Sequence, residues 1–147
     1  MNIADLKKAF LKIPAIKLVY LFGSQATGKA GPLSDHDFAF YLEEKNPKKR
    51  FELRLKLYGI LSSHLKTDNI DVVILNDTDG PELKYAIITE GKLIYSKEPY
   101  NIMVEPRILN EYFDFREGLL RNKIIKIAGP QRQQFKIKSV TGRKSLK

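Results

Sequence analysis

LVYLFGSQATGKAGPLSDHDFAFYL, residues Leu18 to Leu42, is the stretch on which the reading of the chain turns. Leu18 to Phe22 is an unbroken apolar and aromatic run, the pattern of a strand covered on both faces, and Gly23-Ser24 breaks it. Ten residues later Asp35-His36-Asp37 opens a second apolar run that continues to Leu42. Side chains two apart on a strand share a face, so Asp35 and Asp37 are expected to project together, roughly 6.5–7 Å apart along the strand. That spacing suits carboxylates that flank a shared pair of cations.

The turn after the first strand spells two phosphate motifs at once. Gly23 to Lys29 matches GxxxxGK of a P-loop, but Ala30 stands where a magnesium-ligating Ser or Thr is required. Gly31-Pro32 follows immediately, so no long helix can open there to point its amides at phosphates. The other reading takes Gly23-Ser24 as the phosphate turn, with Gly23 admitting the backbone close to phosphate oxygens and Ser24 donating its hydroxyl. Asp35 and Asp37 are then the cation ligands, completed by triphosphate oxygens and water.

A third carboxylate is expected on a neighbouring strand, and Asp71 fits, lying just inside the apolar run IDVVIL (Ile70 to Leu75) where an unpaired buried charge would be costly. Three carboxylates around one cleft repel one another unless a cation neutralises them. Asp77 and Asp79 belong to a turn-forming cluster, and Glu43 and Glu44 are expected to face solvent.

The rest of the chain supplies an ordinary α/β frame. Asn2 caps a first helix ended by Pro14. Residues 48–66 read as a long helix with Phe51, Leu55, Tyr58, Leu61 and Leu65 on its buried stripe. A short helix spans about Pro81 to Glu90 and stops at Gly91, Leu93 to Tyr95 is a short edge strand, and a last helix runs from about Val104 to Ala128. The expected architecture is a mixed sheet of three or four strands flanked by helices. The expected organisation is one domain over residues 1–128 and a tail over 129–147.

Composition narrows the partners. The chain has 147 residues, no cysteine, and only His36 and His64 as histidines, which excludes disulfides, thiolate metal sites and a histidine-rich zinc site. The net charge is +9, yet residues 1–120 carry 17 basic and 17 acidic side chains, and residues 121–147 carry nine basic and none acidic. A neutral body with a basic tail makes contact with nucleic acid an expectation for the tail alone. No apolar run reaches the roughly 18–20 residues of a membrane span, and the N-terminus lacks the order of a signal peptide, so a cytoplasmic protein with no membrane association is expected.

The segments LFGS (Leu21 to Ser24), SDHDFAF (Ser34 to Phe40) and NIDVVIL (Asn69 to Leu75) resemble the polymerase-β-type nucleotidyltransferase superfamily, most closely its minimal nucleotidyltransferase (MNT) branch. The spacing from Gly23-Ser24 to Asp35-His36-Asp37 is similar to the GS-x10-DxD signature of that branch. A softer likeness runs through EGKLIY (Glu90 to Tyr95) and Tyr112-Phe-Asp114 and covers roughly residues 1–125.

The resemblance implies the fold of that superfamily and a magnesium-dependent transfer of AMP from ATP to an acceptor hydroxyl. Gly23 and Ser24 would bind the nucleotide, and Asp35, Asp37 and Asp71 would be the catalytic, metal-binding carboxylates. Gln25 stands where relatives often carry Arg, and Lys29 is expected to supply that positive charge. Short members of the branch resemble antitoxins of HEPN-MNT toxin-antitoxin pairs, which adenylylate a tyrosine of the HEPN toxin, so a HEPN protein is the implied partner. The chain has no Arg followed four to six residues later by His, so it is not expected to be the toxin itself. The alternatives are a non-catalytic module that blocks its partner, and a transferase for a small molecule or RNA.

Overall fold

A computed structural model of the chain describes residues 2–23 and 35–122. Ser24, Gln25, Lys29, the last turns expected of the final helix and the basic tail lie outside the described residues. The elements in order are α1 (Ile3–Leu11), β1 (Ile16–Phe22), β2 (His36–Leu42), α2 (Pro47–Leu65), β3 (Ile70–Ile74), a 3-10 turn (Leu75–Asp77), α3 (Pro81–Glu90), β4 (Lys92–Ser96) and α4 (Tyr100–Arg121). The chain divides into two compact units, Met1–Tyr112 and Phe113–Lys147, with the boundary inside α4.

The strands form one mixed sheet in the order β3-β2-β1-β4. β1 pairs antiparallel with β2 and with β4, while β2 and β3 run parallel. The continuous apolar reading of β1 and β2 follows from their central place, because a strand covered on both faces has no solvent side to make polar. On one face Val19, Leu21, Phe38, Phe40 and Ile74 pack with Leu6 and Phe10 of α1 and Leu57 and Leu61 of α2. The Phe10 ring stands edge-on to Phe40 at 5.5 Å and to Tyr95 at 5.7 Å. On the other face Leu18, Tyr20 and Ala39 pack with Ile87 of α3 and with Val104 and Ile108 of α4.

Local chemistry fixes the element ends. The Asn2 side chain accepts the Asp5 amide hydrogen at 3.3 Å, and Asn46 does the same for Lys48 at 2.9 Å, with Pro47 at the first turn of α2. Asn76 extends the β2–β3 ladder past the end of β3, accepting from the Leu42 amide at 3.0 Å and donating to its carbonyl at 2.8 Å. At Gly91 a Cβ would run into the Ile87 carbonyl oxygen and stand 3.0 Å from that of Leu21. Only glycine lets α3 end so close to β1.

Three expectations are corrected. Asp35 lies before β2, which starts at His36, so strand alternation governs Asp37 but not Asp35. The last helix begins at Tyr100, and it contains Pro106 on its exposed side, where water can take the carbonyl that proline leaves unpaired. The third concerns the first half of the α2 stripe, since Leu61 and Leu65 pack in the core as expected and Phe51, Leu55 and Tyr58 do not. Leu57 and Leu61 are fully buried and Leu53, Ile60 and Leu65 pack beside them, whereas Phe51 is 54% exposed and Leu55 57% exposed. Residues 51–65 carry two apolar stripes at helical spacing, and the Arg54 side chain helps choose between them by donating to the Val72 carbonyl of β3 at 2.9 Å.

The rotation of α2 makes a sharp contrast of energies. Leu57→Ala is expected to lower the unfolding free energy by roughly 2–5 kcal/mol. Phe51→Ala is expected to change it by less than about 0.5 kcal/mol, as an exposed substitution does. Urea unfolding monitored by circular dichroism checks both, and a reversed order would restore the stripe read from sequence.

Candidate active site

The β2–β3 register builds the site. Parallel pairing sets His36 opposite Ile70, Asp37 opposite Asp71 and Phe38 opposite Val72. Both aspartates lie at the strand starts, and alternation turns them to the face that carries Ala39 and Val73, away from Phe38 and Val72. The antiparallel β1–β2 register places Phe22 opposite Asp37, and the chain leaves β1 at Gly23 directly beside them.

Gly23 therefore has a role that its motif alone does not reveal. Its φ of +74° lies in the left-handed region, and a Cβ there would collide with Oδ2 of Asp37 and come 3.3 Å from its carboxyl carbon. The missing side chain makes room for the carboxylate. The sequence signal is a glycine at the end of β1; the β1–β2 register that brings the start of β2 back to it supplies the rest.

Electrostatics agree with the geometry. Burial raises the pKa of Asp37 above the ordinary aspartate value; the Asp71 carboxylate raises it further, then that of Asp35, and His36 opposes them. Asp35 is thus within electrical reach of the pair although it precedes the strand. Asp71 is exposed, so its place in the apolar run reflects an opening at the strand start, not the buried charge that the sequence suggests. Strand alternation turns His36 to the opposite face, and its Nδ1 is buried without a hydrogen-bond partner among the described residues.

The structure thus brings Gly23, Asp37 and Asp71 together with Asp35 beside them. Among the described residues no three His, Asp or Glu side chains form a ready-made cation cage. The remaining acids are used elsewhere. Asp77 holds Arg50 with oxygen–nitrogen distances down to 2.6 Å, and Glu43 pairs with Lys17 at 3.5 Å. A cleft of about 320 Å³ opens at the other ends of β2 and β3, lined by Tyr41, Asn76, Lys84, Arg107 and Glu111 among others, and contains none of the three aspartates. No helix among the described residues is long and apolar enough to cross a membrane.

Crowded carboxylates have a measurable signature. A raised Asp37 pKa means that the folded chain binds more protons than the unfolded one just above the ordinary aspartate range, so stability falls as pH rises through that window. Asp37→Asn removes the repelling charge and is expected to raise Tm by a few degrees at neutral pH and to flatten this slope. Magnesium is expected to raise Tm of the wild-type chain and not of the variant. Calorimetry across pH, with and without magnesium, checks these outcomes.

Comparison with known proteins places the arrangement. Residues 4–100 match the family described as polymerase beta, nucleotidyltransferase. The chain is 37% identical over 110 residues to the protein adenylyltransferase MntA of Aphanizomenon flos-aquae, covering 65% of this chain and 70% of that protein. Among solved structures, a toxin-antitoxin complex with AMP-PNP aligns at 24% identity and a TM-score of 0.69, covering 88% of this chain and 100% of that one. A chain from the complex of the tri-AMPylated HEPN toxin of Shewanella oneidensis with its MNT antitoxin aligns at 20% identity and a TM-score of 0.62, covering 87% and 100%. At those identities the structural likenesses speak for the fold. The family match spans Gly23, Asp35, Asp37 and Asp71, and with it the chain belongs to the polymerase β nucleotidyltransferase family.

Proposed function

We propose that this chain transfers AMP from ATP to a tyrosine hydroxyl of a partner HEPN toxin, and that the transfer neutralises the toxin. The observation that carries the reading is the register that seats Asp37 beside Asp71 with Gly23 open against Asp37. The name of the 37% identical relative, protein adenylyltransferase MntA, supports the reaction. The AMPylated HEPN toxin found with an MNT antitoxin of the same fold supports the acceptor.

The residues suit magnesium. They offer hard carboxylate oxygens, and like-charge repulsion at Asp37 is the kind of strain that a cation relieves. Magnesium binds through a few carboxylates and completes its shell with triphosphate oxygens and water. Asp35, Asp37 and Asp71 would hold it. Bound there, magnesium would supply charge neutralisation on the phosphates.

The chain's own residues do the positioning. Gly23 and Ser24 hold the triphosphate at the end of β1, with Lys29 adding positive charge. Asp71 accepts the proton of the acceptor hydroxyl, whose oxygen forms a bond to the α-phosphorus while the bond to the pyrophosphate leaving group breaks. In-line displacement needs no covalent enzyme intermediate, so alignment and neutralisation carry the rate.

With α-labelled ATP, magnesium and a HEPN-domain protein that forms a complex with this chain, label is expected on the partner. Asp35→Asn combined with Asp37→Asn is expected to abolish it, and Asp71→Asn to slow it on the order of 10²–10⁴-fold, the range for losing a general base. Label that never reaches the partner, or reaches it equally with the double variant, removes the reading.

A further inference from the structure

The strand order separates the two substrates, and the outer side of β3 is left for the larger one. Gly23 follows β1, Asp37 sits on the central β2, and Asp71 sits on β3, the edge of the sheet. With the triphosphate at the β1 end, an in-line attack brings the acceptor hydroxyl from the side opposite the leaving pyrophosphate, which is the Asp71 side. A protein that carries this hydroxyl must therefore lie against the β3 edge and whatever borders it.

α2 borders it. Arg54 donates to the Val72 carbonyl at 2.9 Å, Tyr58 donates its hydroxyl to the Asp68 carbonyl at 3.0 Å, and Ser62 donates to the Asp68 carboxylate at 3.1 Å. These three residues recur every fourth position, so one flank of α2 runs along β3 toward the segment that leads into Asp71. From Tyr58 toward the start of α2, Leu55 and Phe51 continue a stripe at i, i+4 and i+7, exposed by 38%, 57% and 54%, whose Tyr58 end lies toward Asp71 and whose Phe51 end lies toward the Arg50–Asp77 pair. Leu57 and Leu61 have already filled the core, so the stripe contributes little to folding.

The charge around the stripe is one-sided. α2 carries Lys48, Lys49, Arg50, Arg54 and Lys56 against the single acid Glu52. Arg50 is held by Asp77 and Arg54 by Val72, while Lys48, Lys49 and Lys56 make no ion pair among the described residues. Exposed aromatics inside a basic rim are the composition of an interface centre, where Tyr, Phe and Arg are enriched.

We propose that the exposed stripe Phe51–Leu55–Tyr58 and the adjoining β3 edge dock the AMP-accepting protein, through an apolar ridge bordered by acidic residues on that protein, and so present its hydroxyl to Asp71. The inference rests on the transfer reading above and adds where the acceptor sits. It assigns α2 a second role beside its place in the core.

The test uses the full chain with a HEPN-domain protein as the acceptor. Complex formation is followed by size-exclusion chromatography with light scattering, and transfer by α-labelled ATP. Leu55→Asp and Phe51→Asp are expected each to weaken the complex by roughly tenfold or more and to slow labelling in parallel. Tm and ATP binding are expected to stay unchanged. Leu11→Asp places the same charge on an equally exposed leucine of α1, a helix that packs against both α2 and β4, and is expected to leave both readouts intact because Leu11 lies outside the stripe. Wild-type binding and labelling with Leu55→Asp and Phe51→Asp, or equal losses with Leu11→Asp, would overturn the docking surface. If the wild-type chain binds the partner without labelling it and Leu55→Asp still breaks the complex, the surface stands and the transfer reading falls. Absence of any complex removes both, and label on RNA in place of the protein removes the proposed occupant.

Discussion

Two like charges are held side by side at the head of the sheet, and much of the structure can be understood as what makes that tolerable. Asp37 and Asp71 are opposed in the parallel pairing of β2 and β3. Left alone they would push the strand starts apart. The pairs behind them, Phe38 with Val72 and Phe40 with Ile74, are buried against α1 and α2, and Asn76 bridges to Leu42 at the other end of the ladder. Apolar burial along a whole strand outweighs one repulsive contact at its end, so the repulsion is stored where a cation can relieve it.

The same frame explains why each face of the sheet has its own task. Alternation sends Phe38 and Phe40 to the α1/α2 face and Asp37 and Ala39 to the α3/α4 face. The small Ala39 sits beside buried Tyr20, whose hydroxyl donates to Glu105 of α4 at 2.5 Å. Burial raises the Tyr20 pKa strongly, with the hydrogen bond to Glu105 adding to it, so the phenol remains a donor that ties α4 to the sheet. The packing that supports the two aspartates lies behind them along the strands.

How much was legible in the sequence depended on how many partners each feature needed. The strands β1, β2 and β3 could be read because a doubly covered strand must be apolar along its length, and Gly23, Asp37 and Asp71 could be read because they interrupt those runs. The site of Asp35 just outside β2 was not legible, since strand ends depend on where the neighbouring ladder gives out. The second task of Gly23, making room for the Asp37 carboxylate, needed the β1–β2 register. The first half of the α2 stripe, Phe51, Leu55 and Tyr58, was misread because a second apolar stripe competes there, and periodicity cannot rank the two.

By itself, then, the sequence determined the order and type of the elements, the apolar strands, and the glycine and aspartates that punctuate them, because those follow from local patterning and from the cost of placing a charge in an apolar run. Only the tertiary structure decided which carboxylates are neighbours, that Asp71 is open to solvent, and which side of α2 remains outside. Each of these is set by register and helix rotation, which are fixed by contacts between residues far apart in the chain.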